Sequence, residues 1–184
     1  MEEFSLYVLD IVMNSVRAGA KNVNVTLDDK DGVLTFIVED DGCGMTKEQL
    51  DRLTDPFFTT RKTRGVGLGV PFLKMLAEQT GGGVTVTSKS ENEFTDDHGT
   101  TLVATFHSDH IDFIPMGDIS DTFLTLIQGN PEVDFTFVHR MNGGEVRLSC
   151  PELRSVLGDD VPLSSFEILD WIRGYLADAY SEIK

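Results

Sequence analysis

The chain has 184 residues, enough for one domain or for a compact domain with an extension. Its 40% hydrophobic and 25% charged residues describe a globular protein and exclude a disordered or fibrous one. Fifteen Lys and Arg against 31 Asp and Glu leave a formal charge of −16, which repels a phosphate backbone, so neither DNA nor RNA is an expected partner.

No stretch approaches the roughly 18 apolar residues of a membrane helix. The N-terminal MEEFSLYVLD lacks the basic flank and long apolar run of a secretory signal. The expectation is a cytoplasmic protein without membrane contact. Cys43 and Cys150 have no partner at metal-ligand or redox-motif spacing and read as reduced thiols.

Leu6, Leu9, Met13 and Val16 recur at three- and four-residue spacing, which predicts a helix over about 4–18 stopped by Gly19. Tyr7, Asp10, Asn14 and Arg17 share its other face. Val23, Val25 and Leu27 alternate with polar residues, and an Asp-Lys-Asp-Gly turn leads into a second strand over 33–38, making a hairpin. Thr46 is a predicted N-cap for a short helix over about 46–54, with Glu48 and Gln49 in its first turn. Residues 55–67 show no period and read as a loop. A third helix over about 68–78 ends at Gly81-Gly82-Gly83. Val84 and Val86, then Leu102, Ala104 and Phe106, supply two more strands joined by the acidic connection 91–98.

The order α, β, β, α, α, β, β predicts an α+β two-layer sandwich, a mostly antiparallel mixed sheet with helices on one face. The character of the sequence changes after His107. Residues 1–108 read as one domain and 109–184 as a C-terminal α/β extension, to which the sequence assigns no role. That extension holds a helix over 119–128, a hairpin turning at Asn142-Gly143-Gly144, and a last helix over 165–180.

Three clusters carry chemistry. Asp40 closes a strand beside Gly42 and Gly44, where a carboxylate can accept from an exocyclic amine and glycines let backbone approach a flat base. Gly65, Gly67 and Gly69 open a helix next to Arg61, Lys62 and Arg64, which suits phosphate. The spacing is not that of the Lys-bearing P-loop. Asp10 and Asn14 lie one turn apart on one helical face, where an amide oxygen suits Mg²⁺ and a carboxylate can serve as a general base. Taken singly, each has a plainer reading: an acidic turn, a glycine packed for space, a solvated basic loop, a polar helix face.

Together, Asp10 to Asn14 on the first helix, Asp40-Asp41-Gly42-Cys43-Gly44, the Phe57-Phe58 loop and Gly65-Val66-Gly67-Leu68-Gly69 resemble, in this order, the GHKL (Bergerat-fold) superfamily of gyrases, chaperones, MutL proteins and histidine kinases. The run from Asp55 to Gly69 looks like the phenylalanine and second glycine boxes of histidine kinases. Asn14 to Ala20 looks closer to MutL. The resemblance covers about residues 4–107.

It implies ATP and Mg²⁺ as ligands. Asn14 would ligate magnesium, and Asp40 would read the adenine amine with support from Thr100. Gly42 and Gly44 would line the base, and residues 55–67 would form a lid. Phe57, Arg61, Lys62, Arg64, Gly65, Gly67, Leu68 and Gly69 would contact the nucleotide. Asp10 would be the catalytic base, a position where many relatives carry glutamate. Only nine residues precede Asp10 and the first histidine is His98, so autophosphorylation within the chain is not expected. His98, His107, His110 and His139 form no ligand cluster.

The chain also resembles stand-alone ATP-binding proteins encoded beside NAD-linked hydrogenase subunits, which implies an unidentified redox or hydrogenase-associated protein partner. The leading expectation is slow MgATP hydrolysis or γ-phosphate transfer to a partner. The alternatives are an ATP-switched binding module without useful turnover and an anti-sigma-factor-like serine kinase.

Overall fold

A computed structural model of the chain describes residues 3–53, 68–158 and 160–183. Helix α1 (Phe4–Arg17) buries Phe4, Tyr7, Val8, Ile11, Val12 and Ser15. This corrects the expected inner face: Leu6 is 43% exposed, and Leu9, Met13 and Val16 pack only along the flank of the core. The helix carries two apolar stripes, and the one begun by Phe4 and Tyr7, with its aromatic area, meets the sheet.

Strands β1 (Asn22–Lys30) and β2 (Val33–Asp40) pair antiparallel from Val23↔Asp40 to Lys30↔Val33. Their two-residue turn is Asp31-Gly32, with φ of 53° and 78°, the left-handed pair that matches strand twist in a tight hairpin. Helix α2 (Lys47–Asp51) begins with a reciprocal cap: the Gln49 N–H donates to Thr46 Oγ1 at 3.3 Å, and the Thr46 N–H donates to Gln49 Oε1 at 2.9 Å. It is shorter than expected, with Arg52 as its C-cap.

Helix α3 (Gly69–Gln79) leads into β3 (Gly83–Lys89) and β4 (Gly99–His107), which pair antiparallel. Helix α4 (Ile119–Gly129), capped by the Asp118 side chain, precedes β5 (Asp134–Met141) and β6 (Gly144–Ser149). An unexpected helix, α5 (Cys150–Leu157), starts where the Ser149 hydroxyl accepts from the Glu152 N–H with Pro151 in the first turn. Helix α6 (Phe166–Glu182) ends the described chain.

The six strands form one mixed sheet in the order β3-β4-β2-β1-β5-β6, with every pairing antiparallel except β1 with β5. The parallel register sets Val23 beside Phe135 and Val25 beside Phe137, so the buried face of the sheet continues across residue 108. One core results. Phe4 meets Phe36 and Phe106 edge-on at 5.6 and 5.2 Å, and Phe123 stacks on Phe137 at 4.1 Å between ring centres. The chain is thus an α+β protein with a mixed sheet, in which Asp40 at the end of β2 meets Ser15 in the C-terminal half of α1.

Candidate functional site

Asp40 ends β2, and two neighbours orient its carboxylate. The Ser15 hydroxyl on α1 donates to Oδ2 at 2.6 Å, and the Gly42 N–H donates to Oδ1 at 2.9 Å. Across the sheet Asp40 faces Thr100, whose hydroxyl lies 2.8 Å from Ser88 Oγ. Ser88 in turn donates to the Gly99 carbonyl at 2.9 Å and accepts the Met45 N–H at 2.8 Å. A strand end that holds a charged acceptor this firmly leaves its remaining lone pairs aimed at one place.

That place is a cavity of about 420 Å³, within the range of about 300–1,000 Å³ usual for small-molecule sites. Ile11, Val38, Leu53, Val70, Val86 and Leu102 wall it with apolar surface. Asp40, Ser15 and Thr100 form one polar end, and Asn14 and Arg17 line it as well. An apolar slot with one oriented carboxylate suits a flat heterocycle that carries an amine.

The loop 41–45 is pinned on both sides. The Cys43 N–H donates to the Ala18 carbonyl at 2.8 Å, and the Glu91 N–H donates to the Cys43 carbonyl at 2.9 Å. Packing alone already requires glycine at both positions. A Cβ on Gly42 would stand 2.8 Å from Ala18 Cβ, and one on Gly44, at φ 64°, would stand 1.9 Å from the Lys89 carbonyl oxygen. Gly44 lines the cavity, whereas Gly42 is buried behind it. The Gly42 carbonyl lies 2.6 Å from His98 Nδ1. A carbonyl only accepts, so Nδ1 carries the proton and His98 serves as a brace for the loop. Asp41 accepts from the N–H groups of Lys21 and Asn22 and from the Asn22 amide. Burial pushes its carboxyl up, but these hydrogen bonds outweigh that and hold it below the ordinary value.

Asn14 and Asp10 lie as the spacing predicts, one turn apart, with Arg17 between them. Arg17 Nη1 donates to Asn14 Oδ1 at 3.2 Å and stands 3.9 Å from Asp10 Oδ1. Asp10 does not line the cavity. It faces a separate groove beyond Arg17, and a Cβ on Gly69 would come within 2.1 Å of its Oδ2, so the carboxylate rests against the first residue of α3. Leu68 is the N-cap of that helix, and its carbonyl accepts the Phe72 N–H at 2.9 Å. Phe57, Arg61, Lys62, Arg64, Gly65 and Gly67 lie outside the described residues.

Among the described residues no group of three or more His, Cys, Asp or Glu could hold a metal ion. Mg²⁺ does not require one, since it keeps waters and phosphate oxygens beside one or two protein oxygens. The Asn14 amide oxygen has two lone pairs, one of them engaged by the half-exposed Arg17, so it fits a magnesium ligand if that guanidinium swings away.

Sequence reasoning missed Ser15 and Arg17. Ser15 is a small hydroxyl among Ile11 and Val12 on the buried face of α1, which was the available signal. Arg17 was visible on the polar face but lacked a partner until the helix was placed.

The histidine kinase-, DNA gyrase B- and HSP90-like ATPase family matches residues 2–110, more than half of the chain, and the protein belongs to that family. Membership implies ATP as its ligand. Sensor histidine kinase ZraS of Escherichia coli (strain K12) is 32% identical over 84 residues, 45% of this chain and 18% of that protein. Sporulation kinase E of Bacillus subtilis (strain 168) is 36% identical over 85 residues, 44% of this chain and 11% of that protein. The chain therefore spans less than a fifth of the length of these relatives. Among solved structures, the MutL ATPase domain of Aquifex aeolicus complexed with ADP superposes with a TM-score of 0.54 at 17% identity, covering 85% of this chain and 69% of that one. The N-terminal domain of a DNA repair protein gives 0.53 at 20% identity, covering 81% and 53%. At these identities the superpositions establish the fold. No helix among the described residues is long and apolar enough to cross a membrane.

Proposed function

We propose that the chain binds MgATP in the cavity beside Asp40 and slowly hydrolyses it or passes its γ-phosphate to a partner protein. The observation that carries this reading is the Asp40 carboxylate, oriented by Ser15 and Gly42 at the end of an apolar slot. Adenine lies between the apolar walls and donates its amine hydrogen to Asp40, with Thr100 beside it. The phosphates extend toward Arg17 and the N-terminus of α3, whose free N–H groups and dipole favour anions.

Asn14 holds the magnesium ion, which when bound neutralises phosphate charge. Arg17 exchanges its contact with Asn14 for a phosphate oxygen. Asp10, against the first turn of α3, accepts the proton of the attacking water or hydroxyl. The lid role of residues 55–67 and the phosphate contacts of Arg61, Lys62 and Arg64 belong to the same proposal, as do a cytoplasmic location and a partner from a redox or hydrogenase-associated assembly.

A second reading, an ATP-switched binding module without useful turnover, is favoured by one observation: Asp10 lies outside the cavity lining. An assay for ADP release from MgATP by the purified protein separates the two. Steady release that depends on Mg²⁺ supports the enzyme, and stoichiometric ATP binding without release supports the switch.

A further inference from the structure

The last helix, α6, lies outside residues 2–110 of the ATPase family and turns an aromatic face to solvent. It seats Ile172 and Leu176 in the core, which leaves Trp171 54% and Tyr175 40% exposed on a flank of the helix. Their rings stack at 5.5 Å between centres and 7° between planes. The Tyr175 hydroxyl donates to the Arg147 carbonyl of β6 at 2.9 Å, so the pair is fixed before anything binds. Gly174 lies on the same face. A Cβ there would meet nothing within 4 Å, so no packing accounts for a glycine in mid-helix, and the gap leaves a notch beside the rings.

We propose that this face is the docking site for a basic protein segment that lays an arginine guanidinium on the Trp171–Tyr175 stack. Glu167, Asp178 and Glu182 fall on the same face at helical spacing, and none has a cationic partner among the described residues. Arg173 is the only cation of α6, and it stands 3.8 Å from Asp121 of α4. Asp178 and Glu182 sit in the last two turns, at the negative end of the helix dipole, where acids cost stability and cations are favoured. A guanidinium meets both demands: its planar face stacks on an indole, and its N–H groups donate to carboxylates.

Charge selects this occupant over the others. A second copy would bring another −16 against this one, and a nucleic acid or an anionic lipid surface would be repelled likewise. An aromatic face alone suits any apolar partner, whereas three unpaired acids beside it favour a cationic one. Trp, Tyr and Arg are also the side chains on which interface affinity concentrates. No residue of α6 lines the nucleotide cavity, so a partner docked here leaves the slot beside Asp40 open. The inference therefore stands apart from the MgATP reading and gives the C-terminal extension a role of its own.

Trp171 is the single tryptophan of the chain, so its emission reports this face alone. The probe, added to the full chain, is a helix-forming peptide of alanine and arginine. The same peptide with citrulline, an uncharged isostere, in place of arginine is the control. Anisotropy of dye-labelled peptide gives the affinity, and Trp171 emission with unlabelled peptide gives the place. The arginine peptide is expected to bind saturably and quench Trp171, and the citrulline peptide to do neither. Trp171→Ala should lower affinity by about 2- to 30-fold, the range of one cation–π contact. Asp178→Asn with Glu182→Gln should lower affinity while raising the melting temperature, because both changes relieve the dipole. Glu93→Gln with Asp96→Asn removes two exposed charges from the loop 91–98 and should lower affinity less. Equal affinity for the citrulline peptide, an unquenched Trp171 or equal losses from the two charge pairs would overturn the proposal. So would a dimer, seen by sedimentation, that Trp171→Ala abolishes, since it would assign the face to a second copy.

Discussion

Gly69 is held open for Asp10: a Cβ at position 69 would stand 2.1 Å from the carboxylate oxygen Oδ2 and 3.0 Å from Cγ. The atoms in the way belong to the end of a side chain, which can rotate. Gly69→Ala is therefore expected to cost only about 0.5–1.5 kcal/mol of stability, the scale of one strained rotamer, while displacing the carboxylate. Turnover should fall with ADP affinity largely kept. In an Asp10→Ala background, where only Cβ remains at 3.6 Å, adding Gly69→Ala should cost little further stability. Denaturant midpoints of the four proteins of the cycle check this.

Asp10→Asn keeps the shape of the side chain and removes its basicity. If Asp10 accepts the proton of the nucleophile, ADP release should fall by about 10²- to 10⁴-fold, with nucleotide affinity unchanged. Asn14→Ala should weaken MgADP binding and turnover together, because the metal loses a protein oxygen. Steady-state kinetics beside calorimetry distinguish the two patterns.

His139 gives a pH dependence. It is buried on β5, with Nδ1 2.8 Å from the Tyr180 hydroxyl of α6 and Nε2 without a partner among the described residues. Burial lowers its pKa below 6.5, against a weaker opposing pull from Asp29. A depressed folded-state pKa means the unfolded chain binds the proton more readily. The stability is complete above 6.5 and is lost as pH falls from there toward the folded-state value, with a slope of at most about 1.4 kcal/mol per pH unit for one proton. His139→Phe should flatten this part of the stability curve, measured by denaturant unfolding between neutral and mildly acidic pH.

The parts of the fold and site that were legible in the sequence are those set by local chemistry. Asp31-Gly32 demanded a tight hairpin, Thr46 with Gln49 a helix start, and Asp40 beside two glycines a strand ending in a carboxylate acceptor. What escaped depends on distant residues. The parallel pairing of β1 with β5 joins Val23 to Phe135, with no turn between them to announce it. The inner face of α1 was misjudged because Leu6, Leu9 and Met13 form a real apolar stripe, and only the placed sheet decides that Phe4, Tyr7 and Val8 win. Ser15 was missed because its role exists only once α1 lies over the end of β2. The reason for glycine at 42 was hidden likewise, since Ala18 becomes its neighbour through folding.

The most direct measurement is a calorimetric titration of ADP with Mg²⁺ into wild type and Asp40→Asn. An adenine amine left without its charged acceptor loses about 1–3 kcal/mol, so the account predicts binding by wild type and affinity weaker by roughly 5- to 150-fold in the variant, with an unchanged melting profile. Equal affinity in a folded Asp40→Asn protein would remove Asp40 from the adenine site and contradict the account.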